Sequence, residues 1–157
     1  MTLSRFTKAV AAGLLLCTGT AALATNDGQA RVNQLLGSDK EYREAWQHAV
    51  EQQERLPEWV INLSGSSNEQ MAALEEDGDQ YLVGTLCETE QSCKSQRLIV
   101  AFSWDKEDAY ALMVNVPAGL PADKTPSRHA DYRYIGKPDE GMQQLLMEQL
   151  KKDPAWY

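Results

Sequence analysis

Hydrophobic positions repeat with different periods along this chain, and each period marks a different kind of element. Tyr42, Ala45, Trp46, Ala49 and Val50 fall at i, i+3, i+4, i+7 and i+8, which puts them on one face of an α-helix. Ahead of them, Ser38-Asp39-Lys40-Glu41 reads as a capping box, with Ser38 as N-cap and Glu41 reaching back to its amide. A helix is therefore expected from there to residue 54. Val32, Leu35 and Leu36 predict a shorter helix before it. Pro57 closes the region. A residue before proline avoids the helical region, so Leu56-Pro57-Glu58-Trp59-Val60 is expected as an extended, buried tether.

After a polar, turn-rich stretch over residues 62–70, the period changes to that of strands. The pattern predicts strands over 71–75, 80–86, 96–104, 109–116 and 131–135. Asp77-Gly78 supplies a hairpin turn, and Asp105-Lys106-Glu107-Asp108 a charged one. Leu98-Ile99-Val100-Ala101-Phe102 is apolar without alternation, the mark of a central strand covered on both faces. Tyr132 and Tyr134 share a face of the last strand. A final helix follows, with Pro138 in its first turn and Met142, Leu145, Leu146 and Leu150 on its apolar face. Pro154 stops it, and the aromatics of Ala155-Trp156-Tyr157 are expected to pack back on the domain. The fold class is α+β: an antiparallel meander sheet of about five strands, with helices before and after it.

The 157 residues fit one domain. Lys and Arg number 15 against 23 Asp and Glu, for a net charge of −8. Such a chain lacks the basic footprint of a nucleic-acid binder. The N-terminus modifies these figures. Arg5 and Lys8 precede a short apolar stretch that exits through Ala22-Leu23-Ala24, the pattern of a cleavable signal peptide over residues 1–24. A spanning anchor needs about 20 apolar residues, and this stretch is short and interrupted by Thr and Gly. An acylated Cys17 would place bulky Leu16 where a small residue is expected. Cleavage after Ala24 leaves residues 25–157, 133 in number, and removes two cations, which takes the charge from −8 to −10. No later segment of the sequence is apolar enough for a membrane span, so the expected location is the periplasm.

Two cysteines then remain, Cys87 and Cys93, with five residues between them. In an oxidising compartment this spacing reads as one disulfide closing a small ring. Closure of so short a loop is worth about 2–2.5 kcal/mol, and it orders the loop before any partner arrives. A plain hairpin staple would show the same spacing. Redox chemistry would need C-x-x-C, and neither His48 nor His129 stands at metal-ligand spacing from the pair; both read as surface histidines. Asn62-Leu63-Ser64 is a chance match to a glycosylation acceptor in this context. The acids Glu75, Glu76, Asp77 and Asp79 cluster at a turn, where charge is normally solvated. No nucleophile elbow, phosphate loop or zinc-protease motif is present. No catalytic residue, metal or cofactor is therefore expected: the chain reads as a binding protein and not an enzyme.

Three segments carry a family resemblance: Leu56-Pro57-Glu58-Trp59-Val60; the Cys87–Cys93 ring; and Ser95-Gln96-Arg97-Leu98, followed by Val100 and Trp104. In order and spacing they resemble the Ivy family, periplasmic inhibitors of vertebrate C-type lysozyme. The resemblance implies that the ring residues Glu88, Thr89, Glu90, Gln91 and Ser92 plug a muramidase cleft. Cys87 and Cys93 would close the ring, and Ser95, Gln96 and Arg97 would support it. Family members place a histidine on the catalytic carboxyl groups from a loop reading Cys-Lys-Pro-His-Asp-Cys. Here the ring is one residue longer and has neither the Pro nor the His, and Glu88 and Glu90 would face carboxylates of like charge. Thr89, Gln91 and Ser92 remain as hydrogen-bond donors. Arg97 either orients the ring carboxylates or lies exposed at the strand end. The implied partner is a C-type lysozyme, with an endogenous lytic transglycosylase as an alternative. A second alternative is an envelope binding protein that has lost the plug. Family members also form homodimers. The acidity of the chain would steer it toward a basic enzyme.

Overall fold

The computed structural model describes residues 31–67, 69–121, 124–154 and 156. The expected leader over residues 1–24, with Cys17, lies outside them. The elements in chain order are α1 (Val32–Ser38), α2 (Lys40–Glu51), α3 (Glu58–Ile61), β1 (Ala72–Glu76), β2 (Asp79–Cys87), β3 (Gln96–Ser103), β4 (Ala109–Asn115), β5 (Asp131–Ile135) and α4 (Glu140–Lys151). The strands form one sheet in the order β1-β2-β3-β4-β5, every pair antiparallel. The α+β meander with flanking helices is thus the observed architecture.

The sheet is covered on both faces. Leu82, Leu86, Leu98, Val100 and Phe102 point to the layer of α1, α2 and α3, where Trp46 and Tyr42 lie edge-on to Phe102. Val83, Ile99, Ala101, Leu112 and Val114 point the other way, to Met142, Leu145, Leu146 and Leu150 of α4. The unbroken apolar run of β3 is accounted for, since its successive residues alternate between two cores. Trp156 is 2% exposed and packs back on the domain; Ala155 and Tyr157 lie outside the described residues.

The terminal layers are tied to the sheet at specific points. The Lys106 ammonium, in the turn between β3 and β4, donates to Asp39 at 2.7 Å and to Glu41 at 3.0 Å. The hydrogen bond from Lys106 holds the Asp39 carboxyl below the ordinary carboxylate range. Gly84 lets α1 approach β2 closely. A Cβ there would lie 2.6 Å from Val32 Cγ2 and 3.0 Å from Met71 Cγ, and both of these side chains are buried. Gly84→Val should therefore cost about 1–3 kcal/mol through overpacking. Urea unfolding reads this directly; an unchanged midpoint would mean that α1 is not seated on β2 at that point.

Several local expectations are corrected. The N-cap of α2 is Asp39, whose side chain accepts from the Glu41 amide at 3.0 Å. Ser38 cannot serve, because it ends α1 and its hydroxyl donates back to Leu35 O. The α2 helix ends at Glu51, short of residue 54, and Arg55 takes a positive φ of 57°. The tether is not extended throughout. Pro57 is extended and caps a helical turn over Glu58–Ile61, since a proline at the entry lacks only an N–H that the first turn would leave unpaired. Val60 is buried, whereas Leu56 and Trp59 are half-buried. Pro138 lies just before Asp139, the N-cap of α4, and not in the first turn. Strand β1 is shifted by one residue from the expected span, leaving Met71 buried at its foot.

Candidate functional site

The ring stands at the loop end of the β2–β3 hairpin, where Cys87 pairs with Arg97 as the last register position. Cys87 and Cys93 are disulfide-bonded. The ring's base is held from a second side by the segment after α3. Ser66 N donates to Cys87 O at 2.7 Å, and Cys87 N donates to Ser66 O at 2.9 Å. Gly65 makes that clamp possible: any Cβ there would run into the Cys87 carbonyl and lie 3.0 Å from the Trp59 ring. The segment around Leu56-Pro57-Glu58-Trp59-Val60 is thus a support under the ring.

Within the ring, Glu90–Ser92 forms a 3-10 turn capped by Thr89. Thr89 Oγ1 accepts from Ser92 N at 3.2 Å, while Ser92 Oγ accepts from Thr89 N at 2.8 Å and donates to Thr89 O at 3.0 Å. The hydroxyl proton of Ser92 is therefore used inside the ring. Glu88, Thr89, Glu90 and Gln91 are exposed, and Ser92 and Cys93 are half-buried. The ring faces outward with two carboxylates, the Gln91 amide and the Thr89 hydroxyl.

The three residues after the ring have distinct surroundings. Ser95 ties the ring to the sheet: its amide and hydroxyl both donate to Ser92 O, at 2.8 and 3.1 Å, and its carbonyl accepts from Val116 N at 2.7 Å. Gln96 opens β3 beside a small apolar slot of about 110 Å³ formed with Pro57, Trp59 and Met113. Arg97 neither orients the ring carboxylates nor lies exposed at the strand end. It is buried, its guanidinium donates to Asp153 at 2.8 Å, and it sits 5.2 Å from the centre of the Trp156 ring. Burial of the strand end under the C-terminal segment requires a partner for that charge, and Asp153 provides one across a separation of 56 residues.

Two features were missed in the sequence. Lys94, directly after Cys93, is exposed and makes no ion pair among the described residues; its position as the first cation after the ring was the available signal. The other is a groove of about 540 Å³ beside the ring base, on the α4 face of the sheet, reaching from Cys87, Cys93 and Lys94 to Lys152. His48 and His129 are both exposed. Among the described residues no group of three His, Cys, Asp or Glu side chains is arranged to hold a metal, and no helix is long and apolar enough to cross a membrane.

Comparison with known proteins follows the same lines. An uncharacterized protein of Pseudomonas aeruginosa is 55% identical over 137 residues, 87% of this chain and 87% of its own length. A second P. aeruginosa protein, named inhibitor of vertebrate lysozyme, is 36% identical over 135 residues, 85% of this chain and 86% of its own. An uncharacterized protein of Yersinia pestis is 36% identical over 115 residues, 73% of each chain. The family described as inhibitor of vertebrate lysozyme matches residues 41–152, a span that holds the ring, its clamp and the whole sheet, and the chain belongs to this Ivy family.

Proposed function

We propose that the protein is an exported, periplasmic inhibitor of C-type lysozyme that acts by inserting the ring into the active-site cleft. The observation that carries this is an exposed turn, braced by its own hydrogen bonds and closed by a disulfide, at the clamped end of a hairpin. Family membership and the relative named inhibitor of vertebrate lysozyme support the same target. Glu88, Thr89, Glu90, Gln91 and Ser92 would enter the cleft, with Cys87 and Cys93 fixing their shape and Ser95, Gln96 and Arg97 fixing their height on the sheet. The chain would block hydrolysis and not perform it. A lysozyme cleft holds one protonated and one ionised acid, so Gln91, a neutral donor, is the ring group best suited to meet them.

Glu88 and Glu90 favour a second target of the same chemical class. A cleft that works with a single acid, as in a lytic transglycosylase, repels two carboxylates less than a cleft with a pair does. The deciding experiment is a cell-wall turbidity assay with C-type lysozyme and the oxidised protein. Inhibition at micromolar concentration is expected. No inhibition, together with no heat in a calorimetric titration, overturns lysozyme as the target. Replacing residues 87–93 by the family's histidine-bearing loop would then show whether the scaffold alone retains the capacity to inhibit.

A further inference from the structure

A projecting ring can fill a cleft only if the walls of that cleft come down on either side of it, so the surfaces flanking the ring base matter as much as the tip. On the α4 side that surface is concave. Its floor is aliphatic, formed by Val83 and Ile99 of the sheet with Leu150 of α4, and its volume of about 540 Å³ lies within the range of pockets that hold ligand groups. One end of the groove is the ring base itself, Cys87 and Cys93. Whatever the ring enters must cover this end.

The charges there run against those of the chain. The protein carries a net −8 and the ring tip shows two acids, yet the groove is bordered by Lys94 at the ring and Lys152 beyond the last turn of α4. Both are exposed. Lys152 donates one hydrogen bond to Gln149 at 2.7 Å, which leaves two of its three N–H groups for another acceptor. Of the other charged residues that line the groove, Arg97 is neutralised by Asp153, and Glu69 adds one carboxylate.

We propose that this groove is a second contact site of the same interface: it receives one lip of the target's cleft and binds a carboxylate on that lip through Lys94 and Lys152, with neighbouring aliphatic side chains on its floor. The proposal rests on the plug mechanism above. It makes affinity depend on two separate regions, a rigid tip and a cationic flank. A charge-assisted contact at the flank resists exchange with water because the aliphatic floor excludes it.

The test is calorimetric titration of C-type lysozyme into the oxidised protein and two groove variants. The double variant Lys94→Ala, Lys152→Ala removes both cations from exposed positions. Thr85→Trp fills the groove from β2, where Thr85 is half-buried and lines it. Each is expected to weaken binding tenfold or more, with the circular dichroism of the lysine double variant unchanged. If Thr85→Trp does not fold, the lysine variant decides alone. Binding of that variant within twofold of the parent, with a disulfide-free variant weakened, overturns the groove contact and leaves the plug standing. No binding by the parent protein overturns both.

Discussion

Replacing Cys87 and Cys93 by serine is expected to weaken binding to lysozyme about thirtyfold or more while the sheet and helices still form. The ring is held by three devices, and only one of them is covalent. The 3-10 turn over Glu90–Ser92 keeps its hydrogen bonds to Thr89 in the absence of the disulfide, and the base remains paired with Ser66 and Arg97. The freedom released is that of about two backbone residues, roughly 2–3 kcal/mol, which must be given up again on insertion. At about 1.4 kcal/mol per tenfold, this corresponds to a loss of roughly thirty- to hundredfold. Stability falls separately, by about 2–2.5 kcal/mol, because the unfolded chain gains the freedom of the open loop. Calorimetry with and without reductant, beside urea unfolding of the serine variant, separates the two effects. Unchanged affinity in the serine variant would show that ring rigidity is not what drives binding.

Trp46→Ala should be the most damaging single change to stability, at about 4 kcal/mol, in the range for truncating a large buried aromatic. Trp46 is 1% exposed, and its indole N–H is shared between the carbonyls of Val60 at 3.1 Å and Ile61 at 3.0 Å. Its ring lies 6.5 Å from that of Phe102, edge to face. The residue therefore joins α2, α3 and β3. Trp46→Phe keeps most of the apolar contact and loses the N–H, so it should cost only about 1–3 kcal/mol. The damage should also reach the ring base, since Ser64 N bonds back to Trp59 O at 3.0 Å and Ser66 follows two residues later. Faster amide exchange at Ser66 and Cys87 in Trp46→Ala is the expected signature. Unaltered exchange there, with the global loss present, would show that α3 does not transmit stability to the ring.

The legible parts of this fold are those set by local periodicity. The α2 face of Tyr42, Ala45, Trp46, Ala49 and Val50 could be read from spacing alone, as could the Asp77-Gly78 turn and the double-sided burial of β3. The disulfide could be read from two cysteines and an export pattern. What failed depended on contacts distant in sequence or on neighbouring elements. Ser38 has the right chemistry for an N-cap, but α1 ends on it, and one backbone conformation cannot serve both roles. The tether's short helical turn is stabilised by Trp46 from another helix. Arg97 is indistinguishable from a surface arginine until α4 brings Asp153 and Trp156 over it. Ser66 carries no sequence signal for its pairing with Cys87, and the groove is formed by residues of β2 and β3 with residues of α4 at least 50 positions further along the chain.

Because every strand pairs with its sequence neighbour, the sheet contains no crossover. Contacts local in sequence form quickly, whereas pairings that close long loops are slow. Both cysteines lie in the β2–β3 hairpin and its loop, so the two sulfurs can meet as soon as that hairpin forms, before α1, α2 or α4 has docked. In a chain crossing a membrane from its N-terminus, the thiols would reach the oxidising side while the last strands and α4 were still arriving. Oxidation then becomes an early folding event with a local outcome: the ring closes first, and the Ser66 clamp and the bond from Val116 are added as the rest of the chain folds.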